Sequence, residues 1–383
     1  MPKRSPFLFL SESDMVAAGV EDVARSIDVA EEVFRLLHEG DYVMGGLDHN
    51  SHGLVLIFPK SSPFPNMPLA GPDRRFSAMP AYVGGRFDLC GVKWYGSNAA
   101  NRERGLPRSI LTVMLNDKET GAPLALMAAG KLSSSRTAAV LAVASRYLPA
   151  RPPRTMAVIG CGEINRAAAR ALLSQHRGIE RAICHNRSRH KAEAFAVWLR
   201  ADYGLQTSVV DSARECVAGA DVVTVAASRA APLRVEAEWF APGACILLSG
   251  PMLADNELWT GSRVVYDDIP LHESYVADAR ASDDVHASYA AQIGGPMYEL
   301  IDEGTVPPLR ESEDLGRIVA EGRPPRQGRT VFIASGMAVF DVAWGADLLA
   351  SARSRGIGTS LELWGEAPDN EATDGASAGS VST

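Results

Sequence analysis

The run Val158-Ile159-Gly160-Cys161-Gly162-Glu163-Ile164-Asn165 sets two glycines one residue apart, between an apolar segment and an alanine-rich one. A strand that turns into a helix around a pyrophosphate needs this arrangement. The first glycine permits the tight turn, and the second lets backbone amides at the helix N-terminus approach the phosphates. Asn165 stands where a third glycine would favour close helix–strand packing, so slightly looser packing is expected there. A second strand ends in His185-Asn186-Arg187-Ser188-Arg189-His190-Lys191. An acidic residue here would bind the ribose hydroxyls of NAD. Two arginines around a hydroxyl instead suit the 2′-phosphate of NADP, because an arginine fork grips phosphate at two points. NADP is therefore expected ahead of NAD. The cofactor-binding candidates are Gly160, Gly162, Glu163, Ile164, Asn186, Arg187, Ser188, Arg189 and Ser228, the last just beyond the apolar run Val222 to Ala226.

Two further cations lie in apolar surroundings: Lys93 in Cys90-Gly91-Val92-Lys93-Trp94-Tyr95, and Arg136 at the head of Arg136-Thr137-Ala138-Ala139-Val140-Leu141-Ala142. Hydride transfer to or from an amino or imino acid needs cations for the carboxylate and a group that handles the proton at nitrogen. Each residue alone has a plainer reading, since a strand lysine can snorkel outward and a helix arginine can face solvent.

Two kinds of rhythm position these residues. Before Arg151-Pro152-Pro153-Arg154 the pattern gives a strand at Phe7 to Leu10, a helix near Ile27 to Leu37, and strands at Leu54 to Phe58, Met79 to Tyr82, Cys90 to Tyr95, Ser109 to Leu115 and Pro123 to Met127. Ser133-Ser134-Ser135 then reads as N-cap chemistry for the alanine-rich helix. After the proline pair, strands and helices alternate through Val264 to Tyr266, which implies βαβ units and a mostly parallel sheet. The expected fold is α/β: a Rossmann dinucleotide-binding domain at 151–329, and an α+β substrate-binding and dimerisation domain formed by 1–150 with about 330–365. Residues 366–383 read as a disordered tail.

The 383 residues are 46% hydrophobic and 22% charged with a net charge of −8, which argues against a nucleic-acid surface. Five cysteines without a C-x-x-C pair give no zinc or redox motif, so no metal is expected, and they suit buried thiols in a reducing compartment. The apolar run at Phe7 to Leu10 is too short for a signal peptide, and no stretch reaches the ~18 apolar residues of a membrane helix. A cytoplasmic protein without a membrane partner is expected.

The chain resembles the ornithine cyclodeaminase/mu-crystallin family in Met79-Pro80-Ala81-Tyr82, Val92-Lys93-Trp94-Tyr95, Ser135-Arg136-Thr137-Ala138-Ala139, the glycine turn with Asn186-Arg187-Ser188, and Ser335-Gly336-Met337-Ala338-Val339 with Asp341. The resemblance implies a homodimer acting on a small amino or imino acid, with Arg136 gripping the carboxylate and Lys93 serving the carboxylate or the proton transfer. Two departures bear on the reaction. His52 stands where such proteins carry a further arginine, and an insertion from Lys60 to Arg75 follows it, so Arg74 or Arg75 is a candidate substitute. The turn Gly250-Pro251-Met252 lacks the aspartate that cyclodeaminases and alanine dehydrogenases place there; Asp255 comes three residues later. The resemblance therefore points first to an NAD(P)-dependent amino-acid dehydrogenase or imine reductase using Lys93, Arg136 and His52. The alternatives are an ornithine-type cyclodeaminase, an opine- or diaminopropionate-type dehydrogenase, and a non-catalytic NADPH-dependent binder.

Overall fold

A computed structural model describes residues 6–227 and 233–364. Two eight-stranded sheets organise them. The first runs Thr359–Glu362, Pro6–Leu10, Pro123–Ala128, Ser109–Asn116, Leu89–Ser97, Arg75–Val83, Tyr42–Met44, with Leu54–Ile57 also paired to Arg75–Val83. Alternation divides its faces. Met79, Ala81 and Val83 on one strand, with Leu89 and Lys93 on the next, point to the buried side, whereas Phe76 and Trp94 point away. The C-terminal helix Ala338–Arg355 lies on the buried side against three central strands, and the helices Val23–Glu39 and Gly130–Tyr147 pack around it. That helix is buried on nearly every side, as an internal helix is. Asp341 in its first turn is wholly buried, and an ionised group there needs charged partners.

The second sheet is parallel throughout, in the order Gln206–Val209, Arg181–His185, Thr155–Ile159, Val222–Val225, Cys245–Leu248, Thr330–Ile333, Arg263–Tyr266, Glu313–Asp314. Its central strands are buried along their whole length, as a sheet covered by helices on both faces requires. The strand order reverses at Thr155–Ile159, whose neighbours are Arg181–His185 and Val222–Val225. The crevice at the carboxyl ends of such a reversal is where ligands bind in open parallel sheets. This is the expected α/β architecture, a Rossmann unit joined to an α+β unit.

Two local expectations are corrected, and one strand is added. Thr330–Ile333 pairs with Cys245–Leu248 and Arg263–Tyr266, so the Rossmann unit extends past 329 to include this strand. The alanine-rich helix starts at Gly130, not after the serines. Ala129 donates its N–H to Leu111 O at 3.0 Å in place of a side-chain cap, and Ser134 and Ser135 bond back to the carbonyls of Lys131 and Leu132 inside the helix. Beyond that helix, Thr359–Glu362 forms a strand antiparallel to Pro6–Leu10. Residues 366–383 lie outside the described residues. Among the described residues no helix is long and apolar enough to cross a membrane.

Candidate active site

The glycine turn closes the Thr155–Ile159 strand. Gly160 has φ +92°, and a Cβ there would meet the Ala226 carbonyl oxygen at 2.6 Å, so no other residue fits without moving the neighbouring strand end. Gly162 has open space where a side chain would stand, and it begins the helix Glu163–Gln175 with no side-chain cap. That leaves N-terminal amides for an anion, the provision a pyrophosphate needs. Glu163 and the 37%-exposed Ile164 open this helix at the surface. Asn165 does not loosen the turn as expected. Fully buried, it donates to Ile159 O at 2.8 Å and Gly160 O at 2.7 Å, tying the turn to its own helix.

The next strand supplies the brace. Asn186 Oδ1 accepts from the Cys161 N–H at 3.1 Å while its amide donates to Ser188 O at 3.0 Å, so this residue holds the two loops together. Ser188 bonds its hydroxyl to His190 Nδ1 at 2.8 Å. The two arginines differ. Arg187 is exposed and has no ion-pair partner among the described residues, whereas Arg189 is engaged by Asp211 and by Glu193 at 3.1 Å. Ser228 lies outside the described residues.

The substrate candidates converge on Asp341. Lys93 projects from the middle of its strand, opposite Met79 and Val113, and its Nζ lies 3.0 Å from Asp341 Oδ1 while donating to Ser133 Oγ at 2.8 Å. Arg136 Nε is 3.2 Å from Asp341 Oδ2. Arg136 Nε makes no aligned hydrogen bond to Asp341, so that contact is an ion pair and does not by itself set the plane of the guanidinium. Two cations against one buried carboxylate leave one net positive charge, the complement of a single substrate carboxylate. Burial, and then the neighbouring Arg136, push the Lys93 ammonium down to about 8 against the opposing pull of Asp341. Its proton is therefore exchangeable near neutral pH.

His52 reaches the same region from the other side. Its ring lies 5.8 Å from that of Tyr275, and burial, then Lys93 and Arg136, hold it down to about 4. At neutral pH it offers an uncharged imidazole where an arginine was looked for. The insertion supplies no substitute. Arg74 donates to Leu69 O at 3.1 Å and lies over the Phe58 ring, and Arg75 pairs with Asp73. Arg75 sits opposite Ser97, four residues along the strand from Lys93, a separation of roughly 13 Å. Met252 is buried in the Rossmann unit, paired to Leu233. Asp255 caps the helix Asn256–Thr260 and also accepts from the Ala237 N–H at 3.1 Å, so its carboxylate is committed to backbone amides.

Asp341 is the residue that sequence reasoning passed over. It was visible only as part of a motif, and its pairing with Lys93 and Arg136 spans more than 200 positions.

The ornithine cyclodeaminase/mu-crystallin family pattern matches residues 19–355, and the chain belongs to that family. Among relatives, the chain is 28% identical over 296 residues to N-((2S)-2-amino-2-carboxyethyl)-L-glutamate dehydrogenase of Staphylococcus aureus, covering 76% of this chain and 82% of that one. It is 28% identical over 303 residues to Delta(1)-pyrroline-2-carboxylate reductase of Bacillus cereus, covering 78% and 88%. Its fold is shared with the Thermococcus litoralis Delta(1)-pyrroline-2-carboxylate reductase solved with NADH and L-proline, at a TM-score of 0.75, 24% identity, and coverage of 93% of this chain and 100% of that one.

Proposed function

We propose that this protein is a nicotinamide-dependent reductase or dehydrogenase that interconverts an imino acid and the corresponding amino acid. The observation that carries this reading is the convergence of Lys93 and Arg136 on Asp341 beside the carboxyl edge of the Rossmann sheet. The nicotinamide cofactor, when bound, supplies or accepts the hydride at the substrate α-carbon. Arg136 takes the carboxylate in two-point fashion. Lys93 delivers a proton to the imine nitrogen as the C=N bond becomes C–NH, or removes it in the reverse direction. Neutral His52 gives a polar contact without a second charge.

A cyclodeaminase needs a base for ring closure. Met252 cannot take a proton, and the Asp255 carboxylate is bound to amides, so net redox chemistry is favoured. The test is loss of the near-ultraviolet absorbance of NADPH or NADH when the protein is given cyclic imino acids such as Δ1-pyrroline-2-carboxylate, or α-keto acids with amines. Proline and ammonia formed from ornithine at constant cofactor redox state would overturn the reading in favour of a cyclodeaminase. Failure to turn over any of a broad panel would favour a binder.

NADP is proposed over NAD, with Arg187 as the free cation for the 2′-phosphate. Arg187→Glu is expected to raise the KM for NADPH about tenfold or more, equivalent to ~1.4 kcal/mol, with that for NADH changed far less. An equal change for both cofactors would remove Arg187 from that role.

A homodimer through the outer face of the first sheet is also proposed. Leu54 is 81% exposed there and Ile110 52%, beside the exposed Phe76 and Trp94, whose rings stack at 5.6 Å. An antiparallel sheet face this apolar is suited to burial against a second copy. Light scattering is expected to give twice the chain mass, and Trp94→Glu to shift it toward one chain mass. The proposed location is the cytoplasm, supported by five cysteines that are all free thiols.

A further inference from the structure

The Rossmann unit holds a buried polar chain that the chemistry above leaves unused. Asp267 follows the strand Arg263–Tyr266, and His272 lies in the first turns of the helix Ile269–Arg280. Asp267 Oδ1 accepts from His272 Nε2 at 2.8 Å, and His272 Nδ1 meets the Tyr298 hydroxyl. All three side chains are essentially without solvent contact. A carboxylate can only accept, so Nε2 carries a proton. The other carboxylate oxygen, Oδ2, accepts from two successive amides, Ser335 N at 2.7 Å and Gly336 N at 3.0 Å.

Those amides belong to the turn between the Thr330–Ile333 strand and the C-terminal helix. Gly336 has φ +84°, and a Cβ on it would stand 3.2 Å from Arg136 Nη1, so the bare backbone of this turn is the back wall of the guanidinium. One residue beyond Met337, the helix carrying Asp341 begins.

We infer that His272, backed by Tyr298, is a positioning residue for the substrate carboxylate: it fixes Asp267, which fixes the Ser335–Gly336 turn against Arg136. Asp267 has to face both amides at once, and rotation of its carboxylate about the Cβ–Cγ bond would break one of them. The imidazole, at 2.8 Å and closer than the Asp268 amide that also reaches this oxygen at 3.2 Å, restricts that freedom by holding the second oxygen, and the Tyr298 hydroxyl sets the plane of the imidazole. The guanidinium, held to Asp341 without alignment, then has its orientation set from behind. Orienting residues that never touch the substrate act in this way when the group they steer must grip at two points.

This inference rests on Arg136 as the carboxylate grip, so its test reads binding apart from turnover. The probe is pyrrole-2-carboxylate, a planar carboxylate, titrated calorimetrically into the protein saturated with oxidised cofactor, with cofactor dissociation constants measured separately. His272→Leu is expected to weaken the probe at least tenfold while changing the cofactor dissociation constant less than twofold. His272→Gln keeps an N–H where Nε2 lies and is expected to recover binding to within threefold of the parent protein. Tyr298→Phe, which removes one hydroxyl and keeps the ring, is expected to weaken the probe about threefold, and it decides the matter if His272→Leu does not fold. Parent-like binding by Tyr298→Phe and by folded His272→Leu overturns the inference, as does equal loss with Gln and Leu. Parallel weakening of probe and cofactor also overturns it, because that marks a general loosening of the Rossmann edge. A parent protein that binds the probe yet reduces no imine sinks the proposed reaction and leaves the positioning result standing; one that does not bind it sinks the positioning role.

Discussion

Lys93→Met is expected to lower kcat/KM for imine reduction by about a thousandfold, within the range that a positioned proton donor contributes together with a charge-assisted contact. The sign of its pH dependence follows from the buried ammonium. Its pKa is pushed down to about 8, so the proton-bearing form dominates below that value and is lost above it. The kcat/KM of the parent protein in the reductive direction is expected to fall about tenfold per unit above pH ~8. Lys93→Arg keeps the charge beside Asp341 but does not release a proton in that range. It is expected to lose most of the rate and to flatten the alkaline limb. His52, held to about 4, stays neutral and contributes no step between about pH 5 and 8. A pH–rate profile of Lys93→Arg that keeps the parent's alkaline limb would assign the limb to another group and remove Lys93 from the proton transfer.

The second large effect belongs to Arg136. Arg136→Lys keeps a cation beside Asp341, and with it the neutralised core of the C-terminal helix, so the fold is expected to survive. The point charge of lysine cannot reproduce a two-point grip, and a charge-assisted hydrogen bond contributes ~1.5–3 kcal/mol. The KM for the imino acid is expected to rise about 100-fold, with the KM for the cofactor nearly unchanged. Arg136→Leu adds a folding cost, because it removes one of the two ion pairs that hold the wholly buried Asp341 carboxylate and leaves it with Lys93 alone. A Tm of Arg136→Leu equal to that of Arg136→Lys would show that Asp341 does not depend on the guanidinium.

Much of this site was legible in the sequence because its signals are local. Gly160 and Gly162 announce a turn through their own backbone freedom, and the apolar run around Lys93 marks a cation within a strand, although only the fold shows that it takes the inner face. What escaped is long-range or competitive. Ser133 to Ser135 have the chemistry of N-caps, but the preceding strand leads straight into the helix, and these hydroxyls find partners inside it or at Lys93. Arg187 and Arg189 look equivalent in sequence. Asp211, 22 positions on, folds back to engage the second and leaves the first. Asn165 reads as a missing glycine, yet its amide reaches two carbonyls that glycine could not serve. The partnership of Asp267, His272 and Tyr298 joins a strand end to two helices, and no periodicity reports it.

The way the chain passes between the two units has a mechanical consequence. The first sheet is built from the beginning of the described chain and from its end, so the Rossmann unit is an insertion within the other. The backbone crosses between them twice, once near residues 148–154 and once at 334–337. Two crossings define a line, and any hinge rotation of one unit against the other would run about it, against the core that the two share. Arg136, in contact with Gly336, sits beside the second crossing and so close to that axis, where displacement is smallest. Such a rotation would part Tyr42 from Asp268 and His52 from Tyr275, while the residue proposed to read the carboxylate would move least.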